Sequence, residues 1–245
     1  MFVPAGLHTA AAERRHLDQL AQAGADLFEV GLGSENAALD GPVIQAAYRR
    51  ALSRGNVLDR TLRAIDHAAG LRPTVLMTYW EPLRRDPKHL ARLIADAGAT
   101  GVMVVDLPTR QQARWHDAAH EAGLHTPRLI PRTTTTAGLP ASVARASGWL
   151  YAPASTAATG YQGPPDLPAL DDFIRRLRAA SPLPVVSGVG ISTPALAARV
   201  APSANAIVIG TPIVGPLATD PDRAAEVTAA FAQALHAGDS AEHDA

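Results

Sequence analysis

The feature that most constrains this chain is a repeated alternation of short apolar runs with Ala-, Leu- and Arg-rich segments of helical spacing. The first apolar run is Phe2–Pro4; in residues 10–23, which follow, Leu17, Leu20 and Ala21 recur at helical spacing. Gly24 ends that helix, because glycine accepts the positive φ of a helix C′ position without a side-chain clash. The pattern continues with a strand at 26–32, helices at 43–53 and 57–69, a strand at 73–80, a helix at 87–97 and a strand at 100–107. Helix 110–122, strand 126–131, a short helix near 139–146 and strand 148–153 come next. Helix 167–179, strand 184–190, helix 193–200, strand 206–210 and a last helix near 221–236 complete it. A faint internal echo links two helix ends, Ala23-Gly24-Ala25-Asp26 and Ala97-Gly98-Ala99-Thr100.

A helix that joins two neighbouring strands forces them to run parallel. Eight such units within 245 residues match a single (β/α)8 barrel over 1–236. A doubly wound open sheet competes with it, because periodicity does not report closure. No Gly/Ser/Pro-rich linker divides the chain, and the small polar tail at 237–245 is expected to be disordered.

Composition removes several chemistries. With no Cys, disulfides, thiolate nucleophiles and Cys-ligated zinc or iron–sulfur sites are excluded. The 22 basic and 23 acidic side chains leave a net charge of −1, which gives no footprint for nucleic acid. No apolar run approaches the roughly 18 residues that read as a membrane span. No cationic and apolar leader precedes the first strand, so a cytoplasmic protein without membrane or nucleic-acid partners is expected. A Walker loop, a dinucleotide fingerprint and a Gly-x-Ser-x-Gly elbow are also missing, and no cofactor is expected. His116 and His120 stand four apart on one helix, but the His-Glu-x-x-His order is lacking. They are expected on the solvated outer face of the barrel.

In such a barrel the active site lies at the carboxyl ends of the strands, with phosphate often held after strands seven and eight. Strand seven ends Ser187-Gly188-Val189-Gly190-Ile191-Ser192, and strand eight ends Ile209-Gly210-Thr211-Pro212-Ile213. The sixth loop adds Thr159-Gly160-Tyr161-Gln162-Gly163. Glycine lets backbone N–H groups approach an anion, and a helix N-terminus adds partial positive charge. Turns and caps alone would also account for each glycine. Glu29 is the least expected residue, a carboxylate inside the apolar run Leu27-Phe28-Glu29-Val30-Gly31. Burial would raise its pKa and suit proton exchange near neutrality; a place at the wet end of the strand is the alternative. Asp40-Gly41-Pro42 reads either as a helix cap or as a site carboxylate. Asp106-Leu107-Pro108 is similarly ambiguous, and Tyr151 at the end of strand six either hydrogen-bonds inward or packs.

Taken in order, these segments resemble the tryptophan synthase alpha-subunit family. The resemblance runs through Ala23-Gly24-Ala25-Asp26, Glu29-Val30-Gly31 and Asp40-Gly41-Pro42-Val43-Ile44-Gln45. It continues through Met77-Thr78-Tyr79-Trp80, Asp106-Leu107-Pro108, Tyr151, Thr159-Gly160, Gly188-Val189-Gly190-Ile191-Ser192 and Gly210-Thr211. It implies a lyase that cleaves indole-3-glycerol phosphate to indole and glyceraldehyde 3-phosphate by an acid/base retro-aldol reaction, without metal or organic cofactor. Glu29 then matches the family's proton-shuttling carboxyl, Asp40 the acceptor of the indole N–H, and Tyr151 a supporting tyrosine. Thr159, Gly160, Gly190, Gly210 and Thr211 match the phosphate-binding positions, and Phe2, Tyr79 and Val189 the indole pocket.

Some positions depart from the family pattern. The loop after the catalytic glutamate usually reads Pro-Phe-Ser-Asp-Pro and here reads Gly33-Ser34-Glu35-Asn36-Ala37. Loop six reads Ala154-Ser155-Thr156-Ala157-Ala158-Thr159-Gly160 and lacks the usual Arg. Glu81 stands in place of an Asn and Val189 in place of a common Phe, and the helix that usually precedes strand one is absent from this sequence. The resemblance therefore implies a phosphorylated indolic substrate and a β-subunit-like partner, with the coupling loops altered. A lyase for another aryl or indolyl glycerol phosphate, and a catalytically weak barrel that regulates such a partner, are the alternatives.

Overall fold

The structure, a computed structural model, describes residues 1–161, 163 and 165–242. β1 (Phe2–Pro4) leads to α1 (Ala10–Gln22), and β2 (Phe28–Gly31) to α2 (Pro42–Ser53) and α3 (Val57–Ala69). β3 (Thr74–Thr78) is followed by a single turn, α4 (Trp80–Leu83), and by α5 (Pro87–Asp96). β4 (Gly101–Val104) precedes α6 (Gln112–Glu121), and β5 (Arg128–Leu129) precedes α7 (Leu139–Val143). Then come β6 (Leu150–Pro153), α8 (Leu167–Ala180), β7 (Val185–Gly188) and α9 (Pro194–Val200). β8 (Ala206–Ile207), α10 (Thr211–Thr219) and α11 (Pro221–Glu242) end the described chain.

The strands pair in parallel as β1-β2-β3-β4 and β5-β6-β7-β8. Two seams close these halves into one barrel. At the first, His125 N–H donates to Thr100 O at 3.0 Å and Val102 N–H to His125 O at 2.9 Å. Gly101 permits that approach, since a β-carbon there would stand 2.9 Å from His125 O. At the second, Phe2 N–H donates to Ile209 O at 2.9 Å, tying the chain beyond β8 to β1. Closure decides against an open sheet and in favour of the (β/α)8 barrel.

The internal echo in the sequence is a repeated cap. Ala25 N–H reaches Leu20 O at 3.1 Å and Gly24 N–H reaches Ala21 O at 3.3 Å, with Gly24 at φ +103°. Ala99 N–H to Ile94 O at 3.2 Å and Gly98 N–H to Ala95 O at 2.8 Å repeat it, with Gly98 at φ +94°. Both are Schellman motifs, which satisfy the last helical carbonyls and turn the chain into the next strand.

The strands are shorter than the apolar runs suggest because pairing ends where the chain turns into the site loops. Around β4, Thr100 and Val105 still donate to Thr74 O and Thr78 O, but Asp106 turns away to accept the Trp80 N–H. α10 has no counterpart in the sequence expectations, since Thr-Pro-Ile-Val-Gly-Pro carries helix breakers. Ile213, Val214 and Leu217 bury its apolar side, and Pro216 sits inside it. α11 runs on through 237–242, within the span expected as a tail, while 243–245 lie outside the described residues. His120 is exposed as expected, but His116 is only 8% exposed, so the two histidines do not share a solvated face.

Candidate active site

A cavity of about 260 Å³ lies at the carboxyl ends of the strands. Glu29 enters it from β2, Tyr151 from β6, and Met77 and Met103 from β3 and β4. The period-two alternation of β2 sets Glu29 inward and its neighbours Phe28 and Val30 toward the helices. Glu29 is 4% exposed, and its Oε1 is buried without a hydrogen-bond partner among the described residues. Desolvation pushes its carboxyl up to about 7; the Met1 amino group opposes the rise and Asp40 adds to it. The result is a carboxyl that holds or releases a proton near neutrality, as the run around it suggested.

Asp40 is 3% exposed and does not cap α2, whose N-cap is Gly41. Its carboxylate instead accepts from Tyr79 Oη at 2.8 Å and from Thr159 Oγ1 at 3.3 Å. Burial raises its pKa, and these two donors oppose the rise by favouring the charged form. Gly41 N–H donates to Thr159 Oγ1 at 2.7 Å, so the threonine proton is committed to Asp40. A β-carbon at Gly41 would overlap the Thr159 carbonyl oxygen, which is why the two loops can meet backbone to backbone. From α2, Gln45 Nε2 donates to Asp40 O at 2.7 Å and Ala37 O at 3.1 Å, bracing the same loop. Sequence reasoning did not single out Gln45; its place one turn into α2 was the available signal.

Tyr151 is buried against Gly188, where a β-carbon would overlap its hydroxyl. Burial first, and then the charges of Glu29 and Asp40, push its ionisation well above the ordinary range, while the Val189 backbone N–H opposes this. It stays a neutral hydroxyl. Val189 has φ +36°, rare for a β-branched residue, and Gly190 follows at φ +96°. Their strained turn brings both residues to the cavity wall. Phe2 also lines the cavity and packs edge-on against the buried Tyr48 ring, 6.5 Å between centroids, a contact not anticipated from sequence.

Gly210 and Thr211 reach the cavity at the start of α10, where no side chain caps the helix. Pro212 has no N–H, and Ile213 and Val214 donate theirs to Gly210 O at 2.9 and 3.0 Å, so the helix start offers a phosphate its partial positive charge and the Thr211 N–H. Thr159, Gly160, Gly190 and Ser192 lie on the same rim. Of the glycine stretch in loop six, Gln162 lies outside the described residues.

The family model for the tryptophan synthase alpha chain matches residues 1–242. The chain belongs to the tryptophan synthase alpha chain family. A tryptophan synthase alpha chain of Streptomyces coelicolor is 35% identical over 228 residues, spanning 91% of this chain and 83% of its own length. That of Caulobacter sp. is 38% identical over 220 residues, spanning 87% and 78%. A structure of Mycobacterium tuberculosis tryptophan synthase superimposes with a TM-score of 0.88 at 29% identity, covering 96% of this chain and 90% of that one. Tryptophan synthase subunit alpha of Legionella pneumophila does so at 0.84 and 27%, covering 96% and 91%.

The residues matched to the tryptophan synthase alpha family therefore gather around one space. Glu29, Asp40, Tyr151, Thr159, Gly160, Gly190, Gly210, Thr211, Phe2 and Val189 all line the cavity. Tyr79 does not line it; it stands behind Asp40, donating to the carboxylate and accepting from Leu39 N–H at 3.1 Å. Asp106 is also outside, committed to the Trp80 N–H at 2.6 Å.

Proposed function

We propose that this chain is a lyase that cleaves indole-3-glycerol phosphate to indole and glyceraldehyde 3-phosphate. One observation carries the reading: a Glu29 carboxyl with its pKa raised to about 7, its Oε1 without a partner among the described residues, shares an apolar cavity with an Asp40 carboxylate oriented by two donors. Protonated Glu29 delivers its proton to indole C3, and positive charge develops on the ring nitrogen. Asp40 accepts the ring N–H and stabilises that charge. Ionised Glu29 then takes the proton of the side-chain hydroxyl. The bond from C3 to the carbinol carbon breaks, its electron pair restores the indole ring, and the carbinol carbon becomes the aldehyde. Each proton has a donor and an acceptor among these groups. Tyr151 positions the reacting side chain, and the start of α10 with the rim glycines holds the phosphate.

The enzyme belongs by this reading to tryptophan biosynthesis in the cytoplasm and works with a β-subunit-like partner. Among the described residues no helix is long and apolar enough to cross a membrane. The 33–37 loop, altered from the family pattern, weakens coupling to that partner. Val189, smaller than a Phe, leaves room for a substituted ring, which favours a second reading as a lyase of another indolyl glycerol phosphate. The test is to supply indole-3-glycerol phosphate to the purified chain, with and without a tryptophan synthase β chain, and to quantify both products. Equimolar indole and glyceraldehyde 3-phosphate without the β chain support the proposal. Failure to release indole under either condition would refute it.

A further inference from the structure

Tyr48 is a buried phenol that the proposed reaction does not use. It lies on α2, 1% exposed, one turn after Ile44, which lines the central cavity. Its hydroxyl reaches over the end of β2, where Gly31 makes the room. Gly31 follows Glu29 by two residues, so a side chain there would also point inward. A β-carbon at Gly31 would stand 2.8 Å from Phe2 Cε2 and Cζ and 2.9 Å from Tyr48 Oη. Phe2 from β1 and Tyr48 from α2 therefore converge on space that β2 leaves empty.

The same hydroxyl donates to Met77 Sδ at 3.5 Å. Met77 is the β3 residue paired with Gly31, so the contact ties α2 to the next strand. Burial first, and then the charges of Asp40, Tyr79 and Glu29, keep the phenol neutral and its proton available to the sulfur. Phe2 and Met77 both line the central cavity, and Tyr48 stands behind them. Their strands flank β2, which carries Glu29. On the proposed reading Glu29 meets indole C3, so the ring lies against these two side chains. Met77 cannot hold such a wall alone, because methionine is an adaptable side chain that repacks around what it meets. Tyr48 supplies the constraint: its hydroxyl fixes the Met77 sulfur, and its ring, at 83° to Phe2, stops that side chain from swinging back.

We infer that Tyr48 is a positioning residue that sets the width of the ring-binding end of the cavity, holding Phe2 and Met77 so that they refuse a substituent on their side of the indole ring. The inference rests on the lyase reading, which places indole in this cavity. It is compatible with the room left at Val189, because that residue follows β7, across the closed eight-stranded barrel from β3. Bulk is admitted at one wall and excluded at the other, so the position of a substituent decides the fit.

The test is equilibrium dialysis of the full chain against indole and its singly ring-methylated derivatives, for wild type, Tyr48→Leu and Tyr48→Phe. Binding needs no turnover, which separates the two claims: cleavage with unchanged selectivity sinks only the inference, and selectivity without cleavage sinks only the lyase reading. In the wild type at least one methylindole should bind about tenfold more weakly than indole, the low end of what a misplaced methyl costs in an apolar pocket. Tyr48→Leu should cut that ratio about fivefold or more, and Tyr48→Phe, which keeps the ring edge against Phe2 but frees Met77, about twofold or more. Should Tyr48→Leu fail to fold, Tyr48→Phe alone decides. A wild type that binds no indole, or binds every methylindole as well as indole, overturns the inference. So does a folded, less stable variant with the wild-type ratio, because Tyr48 then only fills space.

Discussion

Tyr79 Oη donates to Asp40 Oδ2 at 2.8 Å while accepting the Leu39 backbone N–H, so one phenol fixes both the carboxylate and the loop that carries it. The proton direction is set: the phenol's ionisation is raised by burial and by Asp40, and it remains a donor. Tyr79→Phe removes a charge-assisted hydrogen bond worth about 1.5–3 kcal/mol. If Asp40 must be held to meet the indole N–H, kcat for indole release falls about 10- to 100-fold, beyond a drop of roughly 3–12 °C in the thermal midpoint. Equal kcat in the variant would mean that Asp40 needs no such support.

Glu29 ties stability to pH. Its carboxyl is about 7 in the folded chain against an ordinary 4.5, so the folded state binds the proton more tightly. The stabilisation is fully present below 4.5 and is lost as pH rises through 7, amounting to roughly 3 kcal/mol. Glu13, likewise raised to about 7 by burial, acts in the same direction and remains in a Glu29 variant. Denaturant unfolding of wild type and Glu29→Gln should therefore diverge with rising pH, the variant becoming the more stable above 7. Parallel curves from pH 5 to 9 would show that Glu29 titrates normally.

Val189 lies at φ +36°, a conformation that costs a β-branched side chain about 1–3 kcal/mol. Val189→Gly relieves that strain and loses packing and chain stiffness of similar size. Stability should stay within about 1 kcal/mol of wild type, while KM rises as the cavity wall recedes. A loss above about 3 kcal/mol would indicate that the turn carries no strain.

Gly188→Ala should behave oppositely. The new β-carbon would overlap Tyr151 Oη and stand 2.9 Å from Val208 O. We expect a loss of about 1–3 kcal/mol in denaturant unfolding, partly recovered in the double variant with Tyr151→Phe. No recovery would place the clash on the Val208 carbonyl alone.

Much of this architecture was legible because it rests on local rules. Gly24 and Gly98 announce their Schellman caps, and the inward Glu29 follows from strand alternation. What escaped depends on groups distant in sequence. Tyr79 reads as a pocket residue until the loop bearing Asp40 folds back over it, 39 positions earlier. Barrel closure rests on Gly101 meeting His125 and on Phe2 meeting Ile209, which no periodicity encodes. α10 was hidden by Pro216, tolerated because tertiary burial of Ile213, Val214 and Leu217 outweighs a weak local propensity. His116 looked solvated beside His120 on one helix, whereas it turns toward the strands, where its Nδ1 lies 3.1 Å from Thr126 Oγ1, a residue ten positions on.

The most direct test of the central claim is the rate of indole release from indole-3-glycerol phosphate by the wild-type chain and by Glu29→Gln, each shown to be folded by its unfolding transition. Glutamine keeps the size of the side chain and removes the exchangeable proton. The account predicts a fall in kcat of about 100-fold or more, the usual range for a general acid–base group. Equal rates in the two proteins would contradict it.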